Sequence, residues 1–300
     1  MRVSTLLVLL IATTAFAAEP PRARPPEFTD EDRAVFFDDA FATLVGERPQ
    51  PAAAATPAIA PDAAPSAAQV AWADLVDPDV LETEIKRQAT ALAKTTRTAS
   101  AYKAGGFKEA VDSLGVVATV FAVIADHSGQ PRWRDDAAGL RDLFGAGASE
   151  ADDATDAAHA VAATRAADLA DLTRGSRPAT PEPASEVDWS LIASRSTLMR
   201  RMGAAEEQRL RSWMSSERDF RRNAADARHE AQVLALLAEA ILRPEAYDYD
   251  DPDYQAYARR LRDTAVRLSE TIDAEDQPAA AAAMAEVSRS CVDCHADYRG

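Results

Sequence analysis

The 300-residue chain is poor in several residue types, and each shortage excludes something. Its two cysteines stand three positions apart, so no structural disulfide competes for either. Eleven glycines and 6% aromatics in an alanine-dominated chain point to a mostly helical protein, and no stretch alternates with the β-branched enrichment of a strand. The N-terminal apolar run, Leu6 to Ala18, is shorter than the ~20 residues that span a bilayer, and no other run approaches that length. No glycine-rich phosphate loop or nucleophile elbow is present. Basic residues are outnumbered, for a net charge of −16, which argues against nucleic acid and anionic membrane surfaces as partners. The same charge suits a basic partner protein, or simply solubility.

Met1-Arg2-Val3 followed by the apolar run and the small-x-small site Ala15-Phe16-Ala17 is the pattern of a secretory signal peptide, expected over residues 1–17. A buried N-terminal helix is the competing explanation. No cysteine follows the cleavage site to carry a lipid anchor, so the chain is expected to be exported, to the periplasm or its equivalent, without spanning a membrane. Residues 18–69 form a proline- and alanine-rich arm, since nine of the 17 prolines fall between Pro20 and Pro65. Within it, Thr29 can cap a short amphipathic helix that ends at Gly46 and carries Phe36, Phe37 and Phe41 on its apolar side. That helix suits docking to a partner, or packing on the chain's own body.

From Val70 onward the sequence repeats itself. Val70-Ala71-Trp72-Ala73-Asp74-Leu75 returns as Val187-Asp188-Trp189-Ser190-Leu191-Ile192, an offset of 117 residues. The surroundings of Trp133 return around Tyr254, and Arg174-Gly175 returns as Arg299-Gly300. Each copy reads as four helical stretches. In the first these are Asp77 to about Lys103, Phe107 to Ala125, Arg134 to Phe144 and Ser149 to Leu172, with Gly105-Gly106 breaking the first from the second. In the second they are Ser196 to Phe220, Ala225 to Leu242, Asp253 to Ile272 and Gln277 to Tyr298. The expected fold is all-α: two tandem antiparallel four-helix bundles, residues 70–175 and 187–300, joined by a proline-bearing linker at 176–186.

The chemistry is concentrated in the last ten residues. Cys291-Val292-Asp293-Cys294-His295 is a Cys-x-x-Cys-His string, the attachment sequence of c-type haem. Two cysteines on one helical turn can each form a thioether, and the adjacent imidazole can serve as proximal iron ligand. A redox dithiol would want a βαβ context that is missing here, and a zinc site would need ligands from the scattered His127, His159 and His229. One covalent haem c per chain is expected. The first copy has Ala166, Leu169 and Ala170 where the second has Cys291, Cys294 and His295, so it cannot hold haem c.

The longer string Cys-x-x-Cys-His-x-x-Tyr-Arg at the C-terminus resembles the signature of the cytochrome c′ and c-556 family. The start of the second copy, Arg195-Ser196-Thr197-Leu198-Met199-Arg200-Arg201-Met202-Gly203, is similar to the first helix of that family. The resemblance covers Val187 to Gly300 and implies that Arg195 lies near a haem propionate, that Met199 is a sixth iron ligand with Met202 as the alternative, and that Arg299 stands near the proximal histidine. Both methionines also suit an apolar core, and Arg299 would complement a helix C-terminus in any case. The corresponding first-copy residues of Arg195 and Met199 are Pro78 and Glu82. A cytochrome c′ is normally one bundle that pairs with a second subunit. Two bundles in one chain can pack on each other through the faces that subunits would use, and the oligomeric state is left open.

The expected function is that of an exported monohaem cytochrome passing single electrons to a redox partner protein, one with a basic surface given the charge. Two alternatives stand beside it: a five-coordinate binder of nitric oxide or carbon monoxide, and a docking subunit of a larger redox complex. An enzyme is not expected, because a dihaem peroxidase needs a second attachment motif and the chain has one.

Overall fold

Local caps set the helix starts. The computed structural model describes residues 29–30, 70–244 and 246–298. Asp77 is extended and Pro78 takes the first position of α1 (Pro78–Thr95), where a missing N–H costs nothing. After a π-helical segment at Tyr102–Gly106 come α2 (Phe107–Asp126), α3 (Ala137–Glu150) and α4 (Asp156–Arg174). Thr155 caps α4 by accepting from Ala158 N–H, and Gly175 ends it at φ 103°. Ser194 caps α5 (Arg195–Ala205), which runs into a second π-helical segment at Glu206–Leu210. Then follow α6 (Glu217–Ala240), α7 (Pro252–Asp273) and α8 (Gln277–Tyr298). Among the described residues all regular structure is helical and no strand occurs.

The chain divides into two compact units, Met1–Ala64 and Pro65–Gly300. Only Thr29 and Asp30 of the first are described. The expected signal peptide and nearly all of the proline-rich arm, its short helix included, lie outside the described residues, as do Arg299 and Gly300.

Two further helix breaks lie outside the sequence pattern. Gly105 takes φ 125°, outside the helical range, and kinks the chain just ahead of α2, where the glycine pair was expected to break it; another interruption comes earlier, at Thr96 to Thr98. There the Thr95 and Thr96 hydroxyls donate back to the Leu92 carbonyl, and Thr98 recaps the chain at Ala101 N–H (3.2 Å). In the second half the break falls at Met214 to Ser216, four residues before the end expected for that helix. Ser216 accepts from Asp219 N–H (3.1 Å) and donates to its carboxylate (2.8 Å), which starts α6 well ahead of Ala225.

Within residues 70–175, α2 packs on α1 and α3, and α4 closes against α1. Within 187–298, α6 packs on α5 and α7, and α7 on α8. The two halves share one continuous core, joined where α2 meets α5 and α1 meets α6. Two contacts across this joint have a special property: each pairs a residue with its own repeat equivalent at the offset of 117. The rings of Trp72 and Trp189 lie 5.7 Å apart, with the Arg243 guanidinium 4.0 Å from the Trp72 ring. The Arg201 guanidinium donates to both Glu84 carboxylate oxygens, at 2.7 and 2.9 Å. Contacts between equivalent residues are those expected beside a pseudo-twofold axis relating the halves.

Glu84 is 1% exposed and Arg201 8%. His229 (2.8 Å to Glu84) and Glu230 (2.7 Å to Arg201) complete the buried cluster. Burial alone would raise the Glu84 carboxyl, but Arg201 and the His229 bond outweigh it and hold it well below the usual carboxylate range. Farther out, Arg200 donates to Asp112 through two nitrogens, at 2.5 and 2.6 Å, and the Thr197 hydroxyl donates to the same carboxylate at 3.0 Å.

The first half depends on aromatic packing at its centre. Phe121 of α2 is fully buried, stacked on Phe144 at 5.7 Å and edge-on to Trp133 at 6.0 Å. Phe121→Ala should lower unfolding free energy by about 3–5 kcal/mol, read from urea denaturation followed by circular dichroism.

Candidate functional site

α8 ends at Tyr298 and carries Cys291, Cys294 and His295 on its last two turns, all helical. Both cysteines are free thiols. Positions three and four apart share a helix face, so the three side chains project together. They face a gap. In the first half α4 packs directly on α1, whereas α8 packs mainly on α7 and meets the α5 side chiefly through the π-helical segment that follows α5.

The gap holds a cavity of about 420 Å³ whose wall includes Cys291, Cys294 and His295 from α8, and Met199, Met202 and Gly203 from α5. A second, adjoining cavity of about 700 Å³ is bounded by Arg195, Met199, Tyr254, Cys294, His295 and Tyr298. Each lies within the range of about 300–1,000 Å³ common for cofactor sites. The residues singled out in α5 and α8 are thus neighbours, although 92 positions separate Met199 from Cys291. Met199 is half-buried and borders both cavities, while Met202 is buried in the core and borders the first alone. Arg299 falls outside the described residues.

Arg195 opens α5 at the rim of the second cavity. Its guanidinium pairs with Asp248 at 2.5 Å and lies over the Tyr247 ring at 5.2 Å and the Tyr254 ring at 5.6 Å. The Tyr254 hydroxyl is buried with no hydrogen-bond partner.

Three wall residues were not singled out from the sequence as site residues, and Gly203 alone of them carries a weak signal. Gly203 lies four positions after Met199, and a Cβ placed there would meet nothing within 4 Å. Glycine in mid-helix costs stability, so its presence on the cavity wall leaves space that any side chain would take up. Glu206 is buried, accepts from the Ser288 hydroxyl at 2.5 Å and pairs with Arg211 at 2.6 Å. That contact ties the π-helical segment to α8, and such segments recur at functional sites. Tyr254 is the third.

The equivalent region of the first half has different walls: an α1–α4 cavity of about 700 Å³ is bordered by Ala89, Thr90, Lys94, Ala170 and Thr173, with no thiol, imidazole or thioether among them. Leu169, at the position of Cys294, is fully buried. Glu82, at the position of Met199, accepts from Arg132 at 2.9 Å, and Arg132 also donates to the Thr173 carbonyl of α4 at 3.2 Å. An ion pair therefore bridges α1 and α4 where a cavity separates α5 and α8.

The donor set fits a covalently held iron porphyrin: two thiols for attachment, one imidazole, a thioether across the gap, a side-chain-free wall at Gly203 and an orphaned phenol. It does not fit a bare metal ion. Among the described residues no group of three or more histidine, cysteine or acidic side chains converges as a metal cage. Comparison of the chain with protein-family models, curated proteins and solved structures finds no match.

Burial pushes the Cys291 thiol up to about 11, helped by nearby Glu206, and burial also raises Cys294. Both are therefore thiols, not thiolates, at neutral pH in the unloaded chain. Since the thiolate is the nucleophile, alkylation of Cys291 by iodoacetamide should be slow at pH 7 and rise with pH up to about 11. Peptide mass spectrometry of quenched samples checks this; a rate that levels off near pH 8.5 would contradict it.

Proposed function

We propose that the protein is an exported monohaem c-type cytochrome that passes single electrons. Its second half would be a haem-bearing four-helix bundle of cytochrome c′ type, and its first half a haem-free copy of the same bundle. What carries this reading is one observation: Cys291, Cys294 and His295 share a cavity wall with Met199, which comes from a helix remote in sequence.

When bound, the haem supplies a one-electron couple at iron. The chain's own residues would do the rest. Cys291 and Cys294 would hold the porphyrin by thioethers, and His295 would give the proximal imidazole. Met199, at the junction of the two cavities, is better placed than the core-packed Met202 to give the sixth ligand. Arg195 would meet a propionate, with the Tyr254 hydroxyl as a second donor at the same rim. The apolar walls, Ile241, Ala258 and Leu261 among them, would keep bulk water from the iron. A thioether ligand raises the reduction potential and closes the site, which favours electron transfer over gas binding. On this reading the mature chain works outside the cytoplasm, with another redox protein as its partner.

Protein made in a haem-attaching host should carry one haem of added mass per chain, lost as a two-thioether adduct in Cys294→Ser. Its oxidised spectrum should show the weak red-end band of a sulfur–iron bond. Met199→Leu should abolish that band, lower the potential and speed carbon monoxide binding to the reduced iron by at least about tenfold, whereas Met202→Leu should leave the band in place. Wild-type protein that binds carbon monoxide fast and is high-spin would make the gas-binding function the better one.

A further inference from the structure

The first half has no ligand set of its own, yet it makes buried polar contacts to one wall of the cavity. α5, which carries Met199, Met202 and Gly203, is held from outside its own half at two points. Glu84 of α1 takes the Arg201 guanidinium, one residue before Met202, in a buried two-bond pair. Asp112 of α2 takes Arg200 and Thr197 on the adjoining turn. Along the same face α2 approaches α5 closely: a Cβ at Gly115 would come within 3.0 Å of the Thr197 methyl group.

The pairing is also directional. Glu84 and Arg201 are the same position in the two repeats, and they meet at the pseudo-twofold. Two first halves would set Glu84 against Glu84 there, and two second halves would set Arg201 against Arg201. Paired glutamates would have no Arg201 opposite them, and each Arg201 would keep Glu230 of its own half but lose its two-bond partner, so this face favours the unlike half.

We propose that the haem-free half is a built-in positioning partner, whose Glu84 and Asp112 fix α5 and thereby set the width of the cavity between Met199 and Cys291. Only the last measurement below rests on the cytochrome reading; the others use the unloaded full-length chain. In that chain, access of iodoacetamide to Cys291 reports how firmly α5 covers the cavity. Glu84→Gln removes the charge with little change of shape and leaves Arg201 short of its partner. Phe144→Leu, in the core of the first half, serves as a control for general loss of stability, with urea added so that the two variants are compared at equal unfolding free energy.

At matched stability, Cys291 in Glu84→Gln should react about tenfold faster than in the control, because local opening of α5 adds to global unfolding. Arg201→Gln placed in the Glu84→Gln background should bring the rate part of the way back, since it removes a buried charge left with Glu230 as its one acidic partner in the cluster. If Glu84→Gln fails to fold, Asp112→Asn tests the same claim at the less buried contact, with a rate rise of about threefold over the matched control. Equal Cys291 rates in the clamp variants and the control would overturn the proposal, leaving the first half with a stabilising role only. In haem-loaded protein, the sulfur–iron band should weaken in Glu84→Gln and persist in Phe144→Leu. A chain that takes up no haem would remove the cytochrome reading, while the thiol rates would still decide this one.

Discussion

Arg201 reaches out of its own half to find a carboxylate. Its guanidinium is buried, takes both oxygens of Glu84 and donates a third bond to Glu230. A buried arginine is tolerable only when its charge and its N–H groups are satisfied, and here part of that satisfaction comes from a helix 117 residues earlier in the chain. The two halves cannot part without exposing this cluster and the Trp72–Trp189 contact beside it. The same joint carries the continuous core from one half into the other and holds α5 against α2.

The halves then differ in one respect that matters for chemistry. Across the α1–α4 gap the first half has Leu169 and the Glu82–Arg132 pair, an apolar plug and a polar bridge that draw the helices together. Across the α5–α8 gap the second half has Cys294, Met199 and the bare backbone of Gly203. The same arrangement of helices thus carries different chemistry on its two sides: a buried leucine and an ion pair on one, thiols, an imidazole and a thioether around a cavity on the other. Holding a gap open forgoes packing contacts, which is the usual signature of a site reserved for something else.

The helical character of the chain was legible from composition and periodicity, and the last helix was legible to its ends, Gln277 and Tyr298. The kink at Gly105 was legible from the glycine pair, but the interruptions ahead of Tyr102 and ahead of α6 were not. They fall where Thr95, Thr96 and Ser216 bond locally to the backbone. Hydroxyl residues compete for backbone groups only in the right local geometry, which spacing alone does not reveal. Tyr254 and Glu206 were likewise silent, since a tyrosine or a glutamate in a helix carries no mark of which cavity it borders.

By itself, the sequence determined which atoms are available for chemistry: two thiols and an imidazole on one helical turn in the second half, and none at the matching positions Ala166, Leu169 and Ala170 in the first. Residue identity and helical spacing suffice for that, because both are local. Tertiary structure alone decided that Met199 faces those groups across a cavity, that Glu84 meets Arg201, and that helices of the first half contact α5. These depend on how helices far apart in the chain approach one another, and that is set by the packing of the whole core.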